Sequence, residues 1–311
     1  MNVLEDASKI YLNNFDNKVW FERAIFLSWY CSLGDCKFCY MSTQKNKINN
    51  PKLAKRSLNS ILAEVFLCKK MGWKVEFLSS GYGFDIKKLV NIVKNVKRIY
   101  KEKIWLNVGA LDKEAILKLK PYIKGVYGAI ETINEDIRKE VCPSKKIEQI
   151  LDMFSYASDL KKGITIIIGL GETEKDINKL NNFIEEHKID QITFYALNPH
   201  KETIFNKGPN KFYYAKWIAK TRIKFPKLKI ITGTWVNRVE EINLLLKAGA
   251  NAITKFPIIK LFNSSYAKVL EDEIIKSKRN LIGSFTKIPK IENKLNKKVE
   301  EYIEVMEKSK K

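Results

Sequence analysis

Apolar segments of strand length alternate with longer amphipathic segments along most of this chain. Eight segments have the length and the nearly continuous hydrophobicity of parallel strands covered on both faces. They are 24–30, 74–79, 103–109, 125–131, 164–169, 191–197, 229–235 and 251–256. Segments with the apolar spacing of helices lie between them. Eight such strand–helix units predict an α/β fold, a (β/α)8 TIM-type barrel that is complete or slightly open.

The alternation ends near residue 262, where a lysine-rich segment of helical pattern begins. We therefore predict a barrel over residues 1–262 and a helical, lysine-rich C-terminal extension over residues 263–311 that packs on the barrel. No apolar run reaches the ~18 residues that a membrane-spanning helix needs, and the first residues lack the basic-then-apolar pattern of a signal peptide. A cytoplasmic protein that does not bind a membrane is expected.

The chain is strongly basic, with a net charge of +22. Such a charge raises the question of a nucleic-acid or acidic partner. The lysines are spread along the whole chain, and aromatic residues are not interleaved with arginine as in a surface that stacks bases. The pattern favours a solvated basic surface, while a basic RNA-binding or RNA-modifying iron–sulfur protein is the alternative of another class.

Three of the five cysteines lie within nine residues, directly after the first predicted strand. Cys31, Cys36 and Cys39 are separated by four and then two residues. Thiolates suit iron–sulfur clusters, and three of them leave one iron of a cubane open to a substrate. A structural zinc site needs a fourth ligand, which would come from a distant cysteine or histidine: Cys68, Cys142, His187 or His200. Inert buried thiols are the third interpretation and rank below zinc.

The cysteine loop, WYCSLGDCKFCYMSTQ, resembles the cluster loop of the radical S-adenosylmethionine (radical SAM) superfamily. The spacing here is the variant C-x4-C-x2-C, whereas that family usually has three and then two residues. The string IIIGLGETEKDI is similar to the biotin synthase branch, as are residues 194–205 and 247–257. The resemblance implies that the three cysteines hold a [4Fe–4S] cluster whose open iron binds S-adenosyl-L-methionine. One electron would then release a 5′-deoxyadenosyl radical that abstracts hydrogen from a substrate.

The resemblance also implies cofactor contacts from residues around the third cysteine and at the ends of predicted strands. Aromatic residues flank the cysteine, and the SSGYG element would meet the methionine amino group. A polar pair, glutamate and threonine, would meet the ribose, and an arginine would meet the methionine carboxylate. The GLGET element and the FYALNP segment would lie near the adenine. The residues so assigned are Phe38, Tyr40, Ser80, Gly81, Glu131, Thr132, Arg138, Gly169, Gly171 and Tyr195. The local alternatives are turns, helix caps and a solvated arginine.

The auxiliary [2Fe–2S] cluster of biotin synthase has no counterpart among the aligned residues. Its cysteine ligands align near Phe77, Trp105 and Gly163, none of which binds iron. The resemblance thus implies a different radical reaction in cofactor biosynthesis, of transferase or lyase type, on a small-molecule or carrier-protein-bound substrate. Sulfur insertion of the lipoyl synthase type is one option, and construction of a hydrogenase cofactor by a maturase is the alternative.

Two further cysteines lie outside the loop. Cys142 precedes Pro143 in a predicted loop and is a candidate ligand or thiol donor, while Cys68 falls in a helical pattern and is expected in the core. The implied partners are an electron donor such as ferredoxin or flavodoxin and, as a further candidate, a second radical SAM subunit.

Overall fold

The computed structural model describes residues 3–291 and 297–308. Within these residues the chain forms nine strands: β1 Lys18–Phe26, β2 Lys74–Ser79, β3 Ile104–Asn107, β4 Ile123–Glu131, β5 Lys161–Ile168, β6 Gln191–Ala196, β7 Lys229–Gly233, β8 Ala252–Thr254 and β9 Asn280–Ile282. The helices are α1 Val3–Asn14, α2 Tyr40–Gln44, α3 Leu58–Lys70, α4 Ile86–Tyr100, α5 Lys113–Leu119, α6 Glu135–Val141, α7 Ile147–Tyr156, α8 Asp176–Glu186, α9 Lys211–Lys224, α10 Ile242–Lys247, α11 Ser265–Lys276 and α12 Lys297–Lys308. Short 3₁₀ helices cover Lys45–Lys47 and Val236–Glu241.

The strands pair in the order β2-β3-β4-β5-β6-β7-β8-β1-β9, and β2 also pairs with β1. The first eight strands therefore close into a barrel, and parallel pairing runs from β2 to β6 and from β7 through β8 to β1. This topology confirms the predicted (β/α)8 fold. None of the described helices has the length and apolarity that a membrane span requires.

Contacts divide the chain into two compact units, which are described separately. The first comprises the chain up to Ala24, Asn59–Glu76 and the chain from Asn210 onward. The second comprises Ile25–Leu58 and Phe77–Pro209. The second unit contains the cysteine loop.

In the first unit, strand β1 begins earlier than predicted and carries charged residues in a buried position. Glu22 is buried and pairs with Lys229, 2.7 Å away, while Arg23 pairs with the buried Glu64 at 2.6 Å. A buried charge is tolerated when it is paired. These pairings explain how KVWFERAIF forms a buried strand although its apolar run is interrupted.

The C-terminal part of the first unit contains more than helices. Helix α11 begins at Ser265, capped by the Ser264 hydroxyl, and β9 then pairs in parallel with β1, a strand that the sequence did not predict. On α12 the Tyr302 hydroxyl lies 2.8 Å from that of Ser60. The predicted boundary at residue 262 stays a prediction, and part of the basic stretch 287–311 lies outside the described residues.

In the second unit, three aromatic rings meet among the strands. The Tyr127 ring lies 5.0 Å from that of Phe77 and 5.2 Å from that of Trp105, both edge-on, and all three side chains are buried. The Tyr127 hydroxyl accepts a hydrogen bond from the Gln191 amide. A Cβ atom added at Gly163 would lie only 2.7 Å from the Tyr127 ring, so glycine is needed there to admit the tyrosine.

Candidate functional site

The three clustered cysteines lie on the loop between the end of β1 and the start of α2. Cys36 is buried, while Cys31 and Cys39 are half-buried. The Cys39 amide donates to the Cys36 carbonyl over 3.1 Å, and the Ser42 amide donates to the Cys39 carbonyl over 3.1 Å. These turns bring the second and third thiols onto one compact stretch that leads directly into α2.

The loop is fixed to the end of α6 by backbone and side-chain hydrogen bonds. The Lys37 amide donates to the Val141 carbonyl over 2.8 Å, and the Ser144 amide donates to the Asp35 carboxylate over 3.1 Å. Cys142, between these two contacts, is therefore held beside the cluster loop. The structure brings together four of the five cysteines in one region of the second unit.

The first cysteine is fixed from the other side by the end of β2. The Ser32 amide donates to the Tyr82 carbonyl over 3.1 Å. A Cβ atom at Gly81 would lie 2.4 Å from the Cys31 Cβ and 2.6 Å from its Cα, so only glycine permits this approach. Within the predicted glycine-rich element, Gly81 therefore lets the end of β2 pack directly against the cysteine loop.

Two of the three loop cysteines, Cys36 and Cys39, pack in an apolar cluster with Cys142. Cys39 packs against its buried members, which are Cys36, Phe38, Val141, Cys142, Leu170 and Leu197. Burial raises the pKa of the Cys36 and Cys39 thiols above its ordinary value. Burial also raises the pKa of Cys142, to about 11. Such thiols keep their protons at neutral pH unless a metal replaces them.

This donor set fits an iron–sulfur cluster, because one short loop carries three thiols and two of them pack among apolar side chains. Across residues 3–291 and 297–308, no three His, Cys, Asp or Glu side chains converge on a point suited to one metal ion. A cubane has a different requirement, because each cysteine binds a different iron.

One buried ion pair adjoins the cysteines. The Lys145 ammonium binds the Glu131 carboxylate, and both side chains are largely buried. Burial is the largest single effect and disfavours the Lys145 ammonium, but Glu131 together with Cys36 and Tyr82 holds the pKa of Lys145 above its ordinary value. Glu131 has a φ of +66°, a left-handed conformation that is strained for a non-glycine residue. Lys145 was not predicted from the sequence; its only signal is the KK pair directly after Cys142, Pro143 and Ser144.

Arg138 binds the backbone on two sides. Its guanidinium donates to the backbone carbonyl of Ile130 and, over 3.1 Å, to that of Lys145, and the side chain is buried. The arginine therefore joins the end of β4 to the loop that carries Lys145. It is therefore not a solvated helix residue, and its assignment to the methionine carboxylate stays a prediction.

The second glycine-rich element is held by an acidic side chain. Gly169 and Gly171 have φ values of +109° and +120°. The Glu172 carboxylate accepts hydrogen bonds from the amides of Gly169, over 2.7 Å, and Leu170, over 2.9 Å. Burial raises the pKa of Glu172 despite these bonds. Glu172 thus fixes the turn after β5, and Leu170 on that turn is a member of the apolar cluster that contains Cys36.

The remaining predicted residues have mixed surroundings. Phe38 is part of the apolar cluster, whereas Tyr40 is exposed and its ring lies 5.5 Å from that of His200. Thr132 is buried, and its hydroxyl accepts from the Asn134 amide over 3.3 Å. Tyr195 is buried on β6. The assignment of these residues to S-adenosylmethionine stays a prediction.

Comparison with known proteins gives the same family as the motifs. The family model described as the Radical SAM superfamily matches residues 27–184. An uncharacterized protein of Methanocaldococcus jannaschii is 47% identical over 294 residues, which span 92% of this chain and 82% of that protein. Biotin synthase of Clostridium tetani is 26% identical over 265 residues, covering 81% of this chain and 80% of the enzyme.

A solved structure shows the same fold at low sequence identity. The FeFe-hydrogenase maturase HydG from Carboxydothermus hydrogenoformans superposes with a TM-score of 0.72 and 16% identity, over 90% of this chain and 71% of HydG. Membership of the matched family implies an enzyme, a [4Fe–4S] cluster and S-adenosylmethionine. The family model covers half of the chain, including the cysteine loop and the turn after β5, and so this chain belongs to the Radical SAM superfamily.

Proposed function

We propose that this protein cleaves S-adenosylmethionine reductively at a [4Fe–4S] cluster held by Cys31, Cys36 and Cys39, and that the resulting 5′-deoxyadenosyl radical abstracts hydrogen from a substrate in cofactor biosynthesis. The observation that carries the proposal is the single loop after β1, on which Cys36 and Cys39 pack in one apolar cluster while Cys31 packs against Gly81. Three cysteines leave the cluster one open coordination position. The substrate is a small molecule or a carrier-bound group.

The buried ion pair supplies the polar part of the site. We assign the methionine carboxylate to Lys145, because Arg138 is already committed to two backbone carbonyls. Lys145 is held by Glu131, whose second carboxylate oxygen remains to accept hydrogen bonds from a ribose diol. The left-handed backbone at Glu131 supports a positioning role, since strain of this kind persists where the surroundings over-determine a conformation.

The aromatic cluster argues against the biotin synthase reaction. The auxiliary-cluster ligands of biotin synthase align near Phe77, Trp105 and Gly163, and the Tyr127 ring packs against all three residues. The sequence has five cysteines, of which the loop uses three, so a second three-cysteine cluster cannot be built from this chain alone. Sulfur insertion of the lipoyl synthase type would need ligands from a second radical SAM subunit.

The experiment that tests the proposal is anaerobic purification and cluster reconstitution, followed by S-adenosylmethionine and dithionite. We expect about four irons per chain and release of 5′-deoxyadenosine. Cys36→Ala should lose both signals. Cys68→Ala is the matched control, because Cys68 is a buried thiol on α3 in the first unit, and it should keep both.

Two results would contradict the proposal. Zinc bound in place of iron would indicate a structural site, and an intact cluster that leaves S-adenosylmethionine uncleaved would exclude the radical reaction.

A further inference from the structure

The segment that follows the cysteine loop is unusually basic. Residues 36–63 contain six lysine or arginine residues and no acidic one, and five of the six fall within residues 45–56. We call residues 45–56 the basic strap. The whole chain carries +22 over 311 residues, so the strap is several times more positive than the average of the sequence.

The basic strap lies against the cysteine loop. The Lys45 ammonium donates to the Leu33 carbonyl over 2.6 Å, and the Lys45 side chain covers Gly34, where a Cβ atom would overlap it. At the other end, an antiparallel bridge joins Lys55 to Ser28, three residues before Cys31. Both ends of the strap are thus fixed to segments that carry or adjoin the proposed cluster ligands.

Apolar side chains on and beside the strap are exposed as well. Leu53 of the strap is 84% exposed, and Trp29, which precedes the cysteine loop, is 44% exposed. The Trp29 amide donates to the Ala54 carbonyl over 3.1 Å, which places the tryptophan next to Leu53. An exposed apolar centre with a charged rim is the composition of a transient docking surface.

Two of the five strap charges belong to exposed side chains, Lys47 and Lys52. Glu202 neutralises Lys47 in part at 2.6 Å, and Lys55 lies over the Phe84 ring at 5.3 Å. The exposed charges favour an acidic partner, and the strap that carries them begins six residues after Cys39.

We propose that the basic strap is the docking surface for an acidic one-electron carrier protein. This inference rests on the proposed function, which requires one electron for each S-adenosylmethionine cleaved. At this interface the reduced carrier loses one electron, the cluster gains it, and no proton or atom is exchanged. The location favours a carrier over a nucleic acid, because a basic surface fixed to the cluster loop brings its partner close to the group that must be reduced. Electrostatic attraction would steer the encounter and set its salt dependence.

The test uses the reconstituted protein and an acidic ferredoxin, with affinity measured by calorimetry. Lys47→Glu combined with Lys52→Glu reverses two exposed strap charges. Lys94→Glu combined with Arg98→Glu on α4 makes the same change in net charge away from the strap, and both of its positions are exposed. We expect the strap variant to bind ferredoxin about tenfold more weakly at ~50 mM salt and about twofold more weakly at ~0.5 M salt. The α4 variant should change affinity by less than about twofold.

A second measurement separates docking from chemistry. Release of 5′-deoxyadenosine driven by dithionite needs no docking, so the strap variant should match the unaltered protein, with equal iron content and thermal stability. Release driven by reduced ferredoxin should fall together with the affinity. Failure of dithionite-driven cleavage in the unaltered protein would overturn the proposed function, while the affinity measurement would still test the docking surface.

Three results would overturn the docking surface. The first is that ferredoxin does not bind the unaltered protein. The second is that ferredoxin binds the strap variant and the α4 variant equally well. The third is that the unaltered protein binds transfer RNA instead of ferredoxin, and that the strap variant loses this binding.

Discussion

Replacing Gly81 with alanine should remove the cluster by displacing Cys31. The added Cβ would lie 2.4 Å from the Cys31 Cβ and 2.6 Å from the Tyr30 carbonyl oxygen, whereas ordinary contacts begin near 3.4 Å. The first proposed ligand must therefore move by about 1 Å, because the overlapping atoms belong to or adjoin the backbone and cannot rotate away. Overpacking of this kind costs about 1–3 kcal/mol in stability.

The larger effect should be on the site. A displacement of about 1 Å in a positioned group can cost roughly a hundredfold in rate. We expect Gly81→Ala to bind clearly fewer irons than the unaltered protein after reconstitution, and to release 5′-deoxyadenosine about a hundredfold more slowly. Iron analysis and timed product assays measure both quantities.

Gly128→Ala is the matched control. Its Cβ would also lie 2.4 Å from a neighbour, but that neighbour is Ile150 Cγ2 on α7, outside the cysteine loop. This variant should lose about the same 1–3 kcal/mol and keep its iron. A Gly81→Ala protein with a full iron content and a cleavage rate within about threefold of normal would refute the steric reasoning.

Two further predictions concern stability. Tyr127→Phe removes the hydroxyl that accepts a hydrogen bond from the buried Gln191 side-chain amide. It should lower the free energy of unfolding, measured in urea, by about 1–3 kcal/mol and leave the iron content unchanged. Equal stability of the two proteins would show that the hydroxyl is dispensable. The Asp85 carboxylate caps α4 by accepting from the Lys88 amide, which lowers the pKa of Asp85 below its ordinary 3.8. The stabilising effect of the Asp85 cap is therefore complete above pH 3.8 and is lost as the pH falls through the lowered pKa. Asp85→Ala should be less stable than the unaltered protein at pH 7 and equally stable in strong acid. A stability difference that persists in acid would contradict this account.

The barrel could be predicted from the sequence because its strands are mostly apolar and its helices have a clear period. The first strand was placed too late, at 24–30 instead of Lys18–Phe26, because Glu22 and Arg23 interrupt the apolar run. Their partners, Lys229 and Glu64, are distant in sequence. Local pattern contains no information on such pairing, so the charges could not be recognised as buried.

The parts of the site that depend on spacing along the sequence could be predicted. The parts that depend on contacts between residues distant in the sequence could not. The cysteine loop is local, and its three ligand candidates were identified from spacing alone. Lys145 and Arg138 are both basic residues near the end of β4, and only the structure distinguishes them. One donates to backbone carbonyls, and the other pairs with Glu131 beside the cysteines.

The close fit of Tyr127 over Gly163 limits the size of the side chain at position 163. A cysteine there cannot be accommodated while the tyrosine ring is present, since even a Cβ atom would lie 2.7 Å from that ring. A smaller residue at position 127 would leave a cavity costing about 3–5 kcal/mol. The two positions are therefore coupled, and a change at either one alone should destabilise the barrel.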